Sequence, residues 1–394
     1  MNFELSEKAR VFRDEVRQFL KENPPETFPM ELDDDMWGFG GWSFKFTRKL
    51  GEKGWLSLSW PKEYGGQERT VFEKTVFIEE MAYHMAPCSA HLLGDGMALE
   101  IIEHGSEEVK REILPRLAKG TAIFWLAFSE PNAGSDLLNV RTTAEEKGDY
   151  FVVNGQKTWS TYANLSDYGF LLARTDTNVP KHKGLSMFIV DRTLPGIRIV
   201  PIISLVGHNY HNEVYFDDVK IPKTYLLGQK NMGFFQMLKG LETDRFWARL
   251  CKAGICQRVI DDLVSYSKET YRDGKPLSDN PLIRQKLAQL AIETEACRLH
   301  FYRIAWMMDQ GIPVKYEAAL GKVFADELGQ RVVDVGMEIL GLNCQLEAGS
   351  KWAPLQGYLE RWYLTTRGQT LAGGASEIMR DTIAQIGLGL PRKQ

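Results

Sequence analysis

Two polar stretches hold the residues best suited to chemistry. The first, Ser129-Glu130-Pro131-Asn132-Ala133-Gly134-Ser135-Asp136, follows an apolar run over residues 123–128. It is dense in turn formers, so a strand must end there. Its small residues leave backbone N–H groups unshielded, which suits an acidic or electron-rich ligand. The second stretch, Lys157-Thr158-Trp159-Ser160-Thr161, sets a large flat ring beside two hydroxyls. Such a set can stack on a planar cofactor and hydrogen-bond its edge. Other chemistries find little support. No G-x-G-x-x-G follows a strand, and there is no P-loop. His208 and His211 are three apart but fall in a loop between expected strands, where a surface or capping role is the better reading. Ser129 and Ser135 lack Asp and His partners in a nucleophile-elbow setting.

Two acids lie in or beside helical patterns. Asp244 lies in Gly240-Leu241-Glu242-Thr243-Asp244-Arg245, within a long helical pattern. Glu242, two positions back, points about 200° away around a helix. An Asp–Arg surface pair is one reading of Asp244. Asp95, in His91-Leu92-Leu93-Gly94-Asp95-Gly96, is read as a helix N-cap ahead of an apolar-periodic run, with a pocket acid as the alternative.

These residues must be positioned by a chain of 394 residues, long enough for two or three domains. Its 44% hydrophobic and 25% charged content is ordinary for a globular protein. A net charge of −4 gives no basic footprint for nucleic acid. No window reaches the roughly 18 apolar residues of a membrane span. The N-terminus shows no signal-peptide pattern, so a cytoplasmic protein is expected. The five scattered cysteines fit neither a CxxC motif nor a zinc pair, and buried free thiols are expected.

Along the chain, residues 1–120 read as helices. Phe12, Val16, Phe19 and Leu20 form an amphipathic stripe that Pro24-Pro25 ends. Further helical patterns cover 71–84 and 97–104. From 121 the pattern turns to short β-rich runs at 150–153, 168–174, 187–191, 197–203 and 213–219, as antiparallel strands require. Asn154-Gly155 reads as a hairpin turn. From 231 helices return, at 234–263, 282–308, 317–340, 356–367 and 376–386.

S-E-P-N-A-G-S-D followed by N-G-Q-K-T-W-S-T resembles the double signature of the acyl-CoA dehydrogenase family. G-W-L-S-L-S-W-P-K-E-Y-G-G, E-V-Y-F-D-D-V-K-I-P and T-L-A-G-G-A-S-E-I-M-R add to the likeness, which covers nearly the whole chain. The resemblance implies an α+β fold: an N-terminal helical domain (1–120), a middle antiparallel β-barrel domain (121–230) and a C-terminal four-helix-bundle domain (231–394). It implies non-covalent FAD, an acyl-CoA substrate and an electron-transfer flavoprotein as acceptor. It also implies a homo-oligomer or an assembly with an unlike family subunit. By the same likeness Phe128 and Ser129 contact the isoalloxazine, and Gly134 and Ser135 lie near pyrophosphate or substrate. Trp159, Ser160 and Thr161 cover the flavin's other edge, while Ala375, Ser376 and Glu377 face its chain.

The departures are informative. The family's usual catalytic Glu falls at Gly373 here, beside Ala372, and neither is an acid. A minority of the family places its base at the helix position of Asp244, with Arg245 orienting the region. The R-x-x-F-G segment is replaced by Tyr271-Arg272-Asp273-Gly274, where Arg272 stands in only approximately. The Q-x-x-G-G segment has become Met337-Glu338-Ile339-Leu340-Gly341. The D-G-K-P-L and G-G-x-S-E-I patterns resemble a bacterial subset acting on sterol side-chain, alicyclic or dicarboxylic acyl-CoAs. A dehydrogenase with a roomy pocket at Ala372 and Gly373 is therefore expected, Asp95 adding a polar wall. A non-catalytic partner subunit and an oxidase of the same fold are the alternatives.

Overall fold

The computed structural model describes residues 4–31 and 41–391; for residues 92–95 and 241–245 the description extends to the backbone alone. Helices come first: α1 (Glu7–Glu22), α2 (Phe44–Glu52), α3 (Val71–Tyr83), α4 (Ser89–His104) and α5 (Glu107–Ala118). Local chemistry fixes their starts. Ser6 caps α1 by accepting from Ala9 N–H, and Thr70 with Glu73 forms a capping box at α3. The stripe read on α1 is buried as Ala9, Phe12, Val16, Phe19 and Leu20. Asp95 falls inside α4 rather than ahead of it, so it is not an N-cap. The helix begins about two turns earlier than the apolar period indicated, at Ser89.

Strands β1 (Phe124–Ala127), β2 (Thr143–Lys147), β3 (Tyr150–Lys157), β4 (Tyr168–Arg174), β5 (Leu185–Asp191), β6 (Ile197–Ile202), β7 (His211–Pro222) and β8 (Leu226–Leu227) make one sheet. Its order is β6-β7-β3-β2-β4-β5-β8, with β1 paired to β4. Most pairings are antiparallel, but β1 and β2 each meet β4 in parallel. The hairpin turn lies at Gly148-Asp149, between β2 and β3, not at Asn154-Gly155. β3 runs straight through Asn154 and Gly155, where the register against β7 shifts in a bulge.

Alternation in β4 and β5 explains their continuous apolar sequences. Phe170, Leu172, Met187 and Ile189 enter one core with Ile101 of α4 and Ile113 and Leu114 of α5. Leu171, Ala173, Phe188 and Val190 enter another with Trp125, Phe151, Val214 and Phe216. A strand buried on both faces has no polar face to show.

Helix α6 (Gly233–Glu269) follows, then the short strands β9 (Tyr271–Arg272) and β10 (Lys275–Pro276). Helices α7 (Pro281–Asp309), α8 (Glu317–Leu340), α9 (Tyr358–Gln369) and α10 (Ser376–Thr382) complete the chain. A Cβ at Gly336 of α8 would lie 2.6 Å from Leu359 Cδ2 of α9 and 3.4 Å from Leu263 Cδ1 of α6, so leucines from both neighbours pack directly on the glycine. The Cα framework divides into two compact units, residues 44–68 with 90–244 and residues 1–43 with 69–89 and 245–394. The division falls within α6, between Asp244 and Arg245. Cys88, Cys251, Cys256, Cys297 and Cys344 are all buried and unbridged, as expected.

Candidate active site

In the sheet-bearing unit, a buried ion pair holds the two polar stretches together. Lys157 Nζ donates to Phe128 O at 3.0 Å and to Glu130 Oε1 at 2.9 Å. Glu130 also accepts from the N–H groups of Arg141 (2.7 Å) and Thr142 (2.9 Å). Thr158 N–H donates to Ser129 O at 2.9 Å, so the end of β1 and the end of β3 are clasped side by side. Neither Glu130 nor Lys157 stood out in the sequence, although both lie within the motifs read there.

Beyond the clasp the backbone turns outward. Trp159 has φ +57° and is 59% exposed, presenting its ring to one side. Thr161 is buried, and its Oγ1 is 3.2 Å from His211 Nδ1. The His211 ring meets Trp159 edge-on at 5.7 Å. Burial pushes His211 down to about 4, so it is neutral at pH 7. Its residue opens β7 and supports Thr161, where a surface or capping role was expected. The buried Ser160 Oγ has no hydrogen-bond partner among the described residues. Phe128 is buried in the core it shares with β4 and β5, while Gly134 and Ser135 are exposed with open space where a Gly134 side chain would be.

The helical unit has a polar cleft of its own. An open cleft of about 400 Å³ is lined by Gln330, Arg331, Thr370, Ser376, Glu377 and Arg380, among others. Ser376 Oγ is buried there without a hydrogen-bond partner among the described residues. Ala375 precedes α10 directly, and Ala372 and Gly373 form the loop before it. Arg272 sits exposed in the β9–β10 hairpin. Asp244 lies on α6 and Asp95 on α4; their side chains, and that of Arg245, fall outside the described ones.

Glu100 was not singled out in the sequence. Its carboxylate on α4 is 4% exposed, Oε2 has no hydrogen-bond partner among the described residues, and His104 Nε2 stands 3.7 Å away. A Cβ at Gly240 of α6 would touch Glu100 Cγ at 3.4 Å. Burial pushes this carboxyl up to about 7, with Glu103 adding to the rise and Lys239 opposing it. A raised acid contributes full stability below its unfolded value near 4.5 and loses it as pH rises through about 7. Glu100→Gln should therefore gain stability over the parent at about pH 8 and not at about pH 4. Urea midpoints at both pH values check this; an equal difference at the two would refute it.

In the sheet-bearing unit, an exposed indole beside a held hydroxyl fits the face and edge of a large planar cofactor. Such a site on an α–β–α chain defines a flavoprotein oxidoreductase. Family models match along almost the whole length: acyl-CoA dehydrogenase N-terminal domain at residues 6–121, middle domain at 126–219 and C-terminal domain at 231–388. The chain belongs to the acyl-CoA dehydrogenase family. Acyl-CoA dehydrogenase FadE26 of Mycobacterium tuberculosis is 34% identical over 365 residues, covering 90% of each chain. A solved structure of the Tcur3481-Tcur3483 steroid ACAD matches with TM-score 0.89 and 28% identity, covering 100% of both chains. The ChsE4-ChsE5 complex from Mycobacterium tuberculosis matches with TM-score 0.87 and 30% identity, again over 100% of both. The protein is an FAD-dependent oxidoreductase that dehydrogenates an acyl-CoA. No helix among the described residues is long and apolar enough to cross a membrane.

Proposed function

We propose that this chain dehydrogenates the α,β-bond of a bulky, branched or ring-bearing acyl-CoA, with Asp244 as the base. The observation that carries the reading is the loop at Ala372 and Gly373, which offers no acid and no side chain larger than a methyl group. Such a loop brings less bulk of its own to an acyl pocket than one that bears a Glu. The steroid-directed relative of nearly identical fold points the same way.

Bound FAD supplies the redox chemistry by accepting a hydride from the β-carbon. The chain does the rest. Phe128, Ser129 and Trp159 pack the ring system, and Thr161, oriented by His211, offers its hydroxyl to the ring edge. Ser135 lies toward pyrophosphate or substrate. Ala375, Ser376 and Glu377 hold the cofactor's chain, and Arg272 is placed for the same cofactor less directly. Asp244 takes the α-proton while Arg245, always charged, orients the region. Electrons leave to an electron-transfer flavoprotein.

A second reading is a partner subunit in an assembly of unlike chains, favoured by the match to the ChsE4-ChsE5 complex and by the replaced Tyr271–Gly274 and Met337–Gly341 segments. Anaerobic mixing of the yellow holoprotein with a series of acyl-CoAs separates the two. Branched and cyclic thioesters should bleach the flavin faster than straight chains. Faster bleaching by straight chains would overturn the substrate class. Bleaching only after an unlike family subunit is added would favour the second reading.

A further inference from the structure

Three buried charges meet beneath the loop that joins α9 to α10. Arg249 of α6 and Lys322 and Asp326 of α8 are each no more than 1% exposed. Arg249 Nε lies 3.1 Å from Asp326 Oδ1, and Lys322 Nζ lies 3.2 Å from Asp326 Oδ2. Both cations also reach up into the loop. Lys322 Nζ donates to Gln369 O at 3.3 Å and to Thr370 O at 3.2 Å. Arg249 Nη2 donates to Ala372 O at 2.8 Å.

Gly373 comes next. Its φ is +66°, and a Cβ there would stand 2.9 Å from Arg249 Nη2 and 3.5 Å from Cζ. The end of an arginine can usually swing aside. This one is held by Asp326 on one side and Ala372 O on the other, so yielding means giving up a buried charge pair. The guanidinium thus fills the space that any side chain at 373 would enter first.

We propose that Arg249 is a positioning residue that takes the place of a side chain at 373: it fixes the loop through Ala372 O and turns any acid put there into its own ion-pair partner instead of a proton acceptor. The chemistry is general. A carboxylate paired with a guanidinium stays ionised and becomes a weaker base. The last loop is then closed to general-base work, and proton abstraction must come from another element. That consequence rests on the reading of Asp244 as base; the loop geometry does not.

A thiol placed at 373 reports on the arrangement directly, because Gly373 is exposed while the five native thiols are buried. The holoprotein variant Gly373→Cys is alkylated with iodoacetamide across a pH series. A free thiol titrates near about 8.5, and a neighbouring arginine lowers it to about 7.5 or below. The alkylation midpoint should lie at least about one pH unit below 8.5 in Gly373→Cys and return to about 8.5 or higher in Arg249→Gln/Gly373→Cys. Equal midpoints in the two would overturn the proposal. Should the Gln variant fail to fold, Arg249→Lys keeps a buried cation for Asp326 and shortens the side chain. Gly373→Ala should then raise the unfolding constant about tenfold less in the Lys background than in the parent, a typical coupling for touching residues. Equal effects in both backgrounds would overturn it. Neither measurement involves acyl-CoA or Asp244, so failure here leaves the proposed function standing, and failure of that function leaves these results untouched.

Discussion

Asp244→Asn will bind FAD and acyl-CoA and reduce its flavin about 10²–10⁴-fold more slowly, the usual cost of losing a positioned base. The substitution keeps the shape and removes the basic lone pair. A free carboxylate near pKa 4 is a weak base toward a carbon acid. An apolar acyl chain excludes water and raises that value, while polarisation of the thioester carbonyl acidifies the α-carbon. The two shifts converge near neutral pH. Asp is one methylene shorter than Glu, so substrate or helix must sit about 1.5 Å closer. Stopped-flow bleaching at saturating acyl-CoA gives the rate, and a retained yellow colour shows that the cofactor site survives. Near-normal reduction by the Asn variant would falsify the assignment and direct attention to Asp95 or to a partner subunit.

Lys157→Met will destabilise the sheet-bearing unit by about 3–5 kcal/mol, because it leaves a buried carboxylate without its cation. Lys157 is 0% and Glu130 7% exposed. Burial raises the Glu130 carboxyl, but Lys157 and its N–H donors outweigh that and hold it below the usual carboxylate range. Burial in turn lowers Lys157 to about 8. The lost lysine also releases Phe128 O, so Ser129 and Thr158 lose their clasp and FAD should be held less tightly. Urea unfolding gives the first effect and flavin release on dilution the second. Lys157→Met/Glu130→Gln should lose less than the sum of the two single changes, since the partners share one interaction. A loss under about 1 kcal/mol in the single variant would mean that the pair is dispensable.

The α1 stripe was legible because one face alone is buried, and long apolar runs bounded by turn formers were legible even where burial is on more than one face. α8 begins and ends at Glu317 and Leu340 as its apolar spacing indicates, and β4 spans Tyr168–Arg174 as read. Errors arose where local signals competed with tertiary contacts. Asn154-Gly155 has the composition of a tight turn, yet Gly155 takes φ +151° as a bulge pressed against Thr142, with 2.5 Å to Thr142 Oγ1 from a Cβ built there. The real turn at Gly148 was masked because β2, Thr143–Lys147, buries only Ala144. A strand so charged gives no alternation to read.

The site motifs were legible, but their supports were not. Arg249 and Lys322 look like solvated helix charges until Asp326 and the carbonyls of a distant loop are in place. His211 looked like loop polarity because only its strand pairing brings it under Thr161. Buried polar groups depend on partners far along the chain, and periodicity carries no information about those partners.

The division of the chain into units bears on how it is made. Residues 1–43 and 69–89 belong with residues 245–394, and the other unit is inserted between them. Helix α1 is tied to α3 through Arg17 and Glu80, and α3 to α7 through Glu79 and Tyr302. During synthesis, α1 and α3 leave the ribosome long before α7 exists. The roughly 150 residues between them and α6's second half take on the order of ten seconds to translate. The inserted unit can complete its sheet in that interval. Helix α1 can already stack Phe12 on Phe77 of α3, but Phe72 and Val76 of α3 must wait for Tyr302 of α7, and apolar surface left uncovered in that interval is open to aggregation.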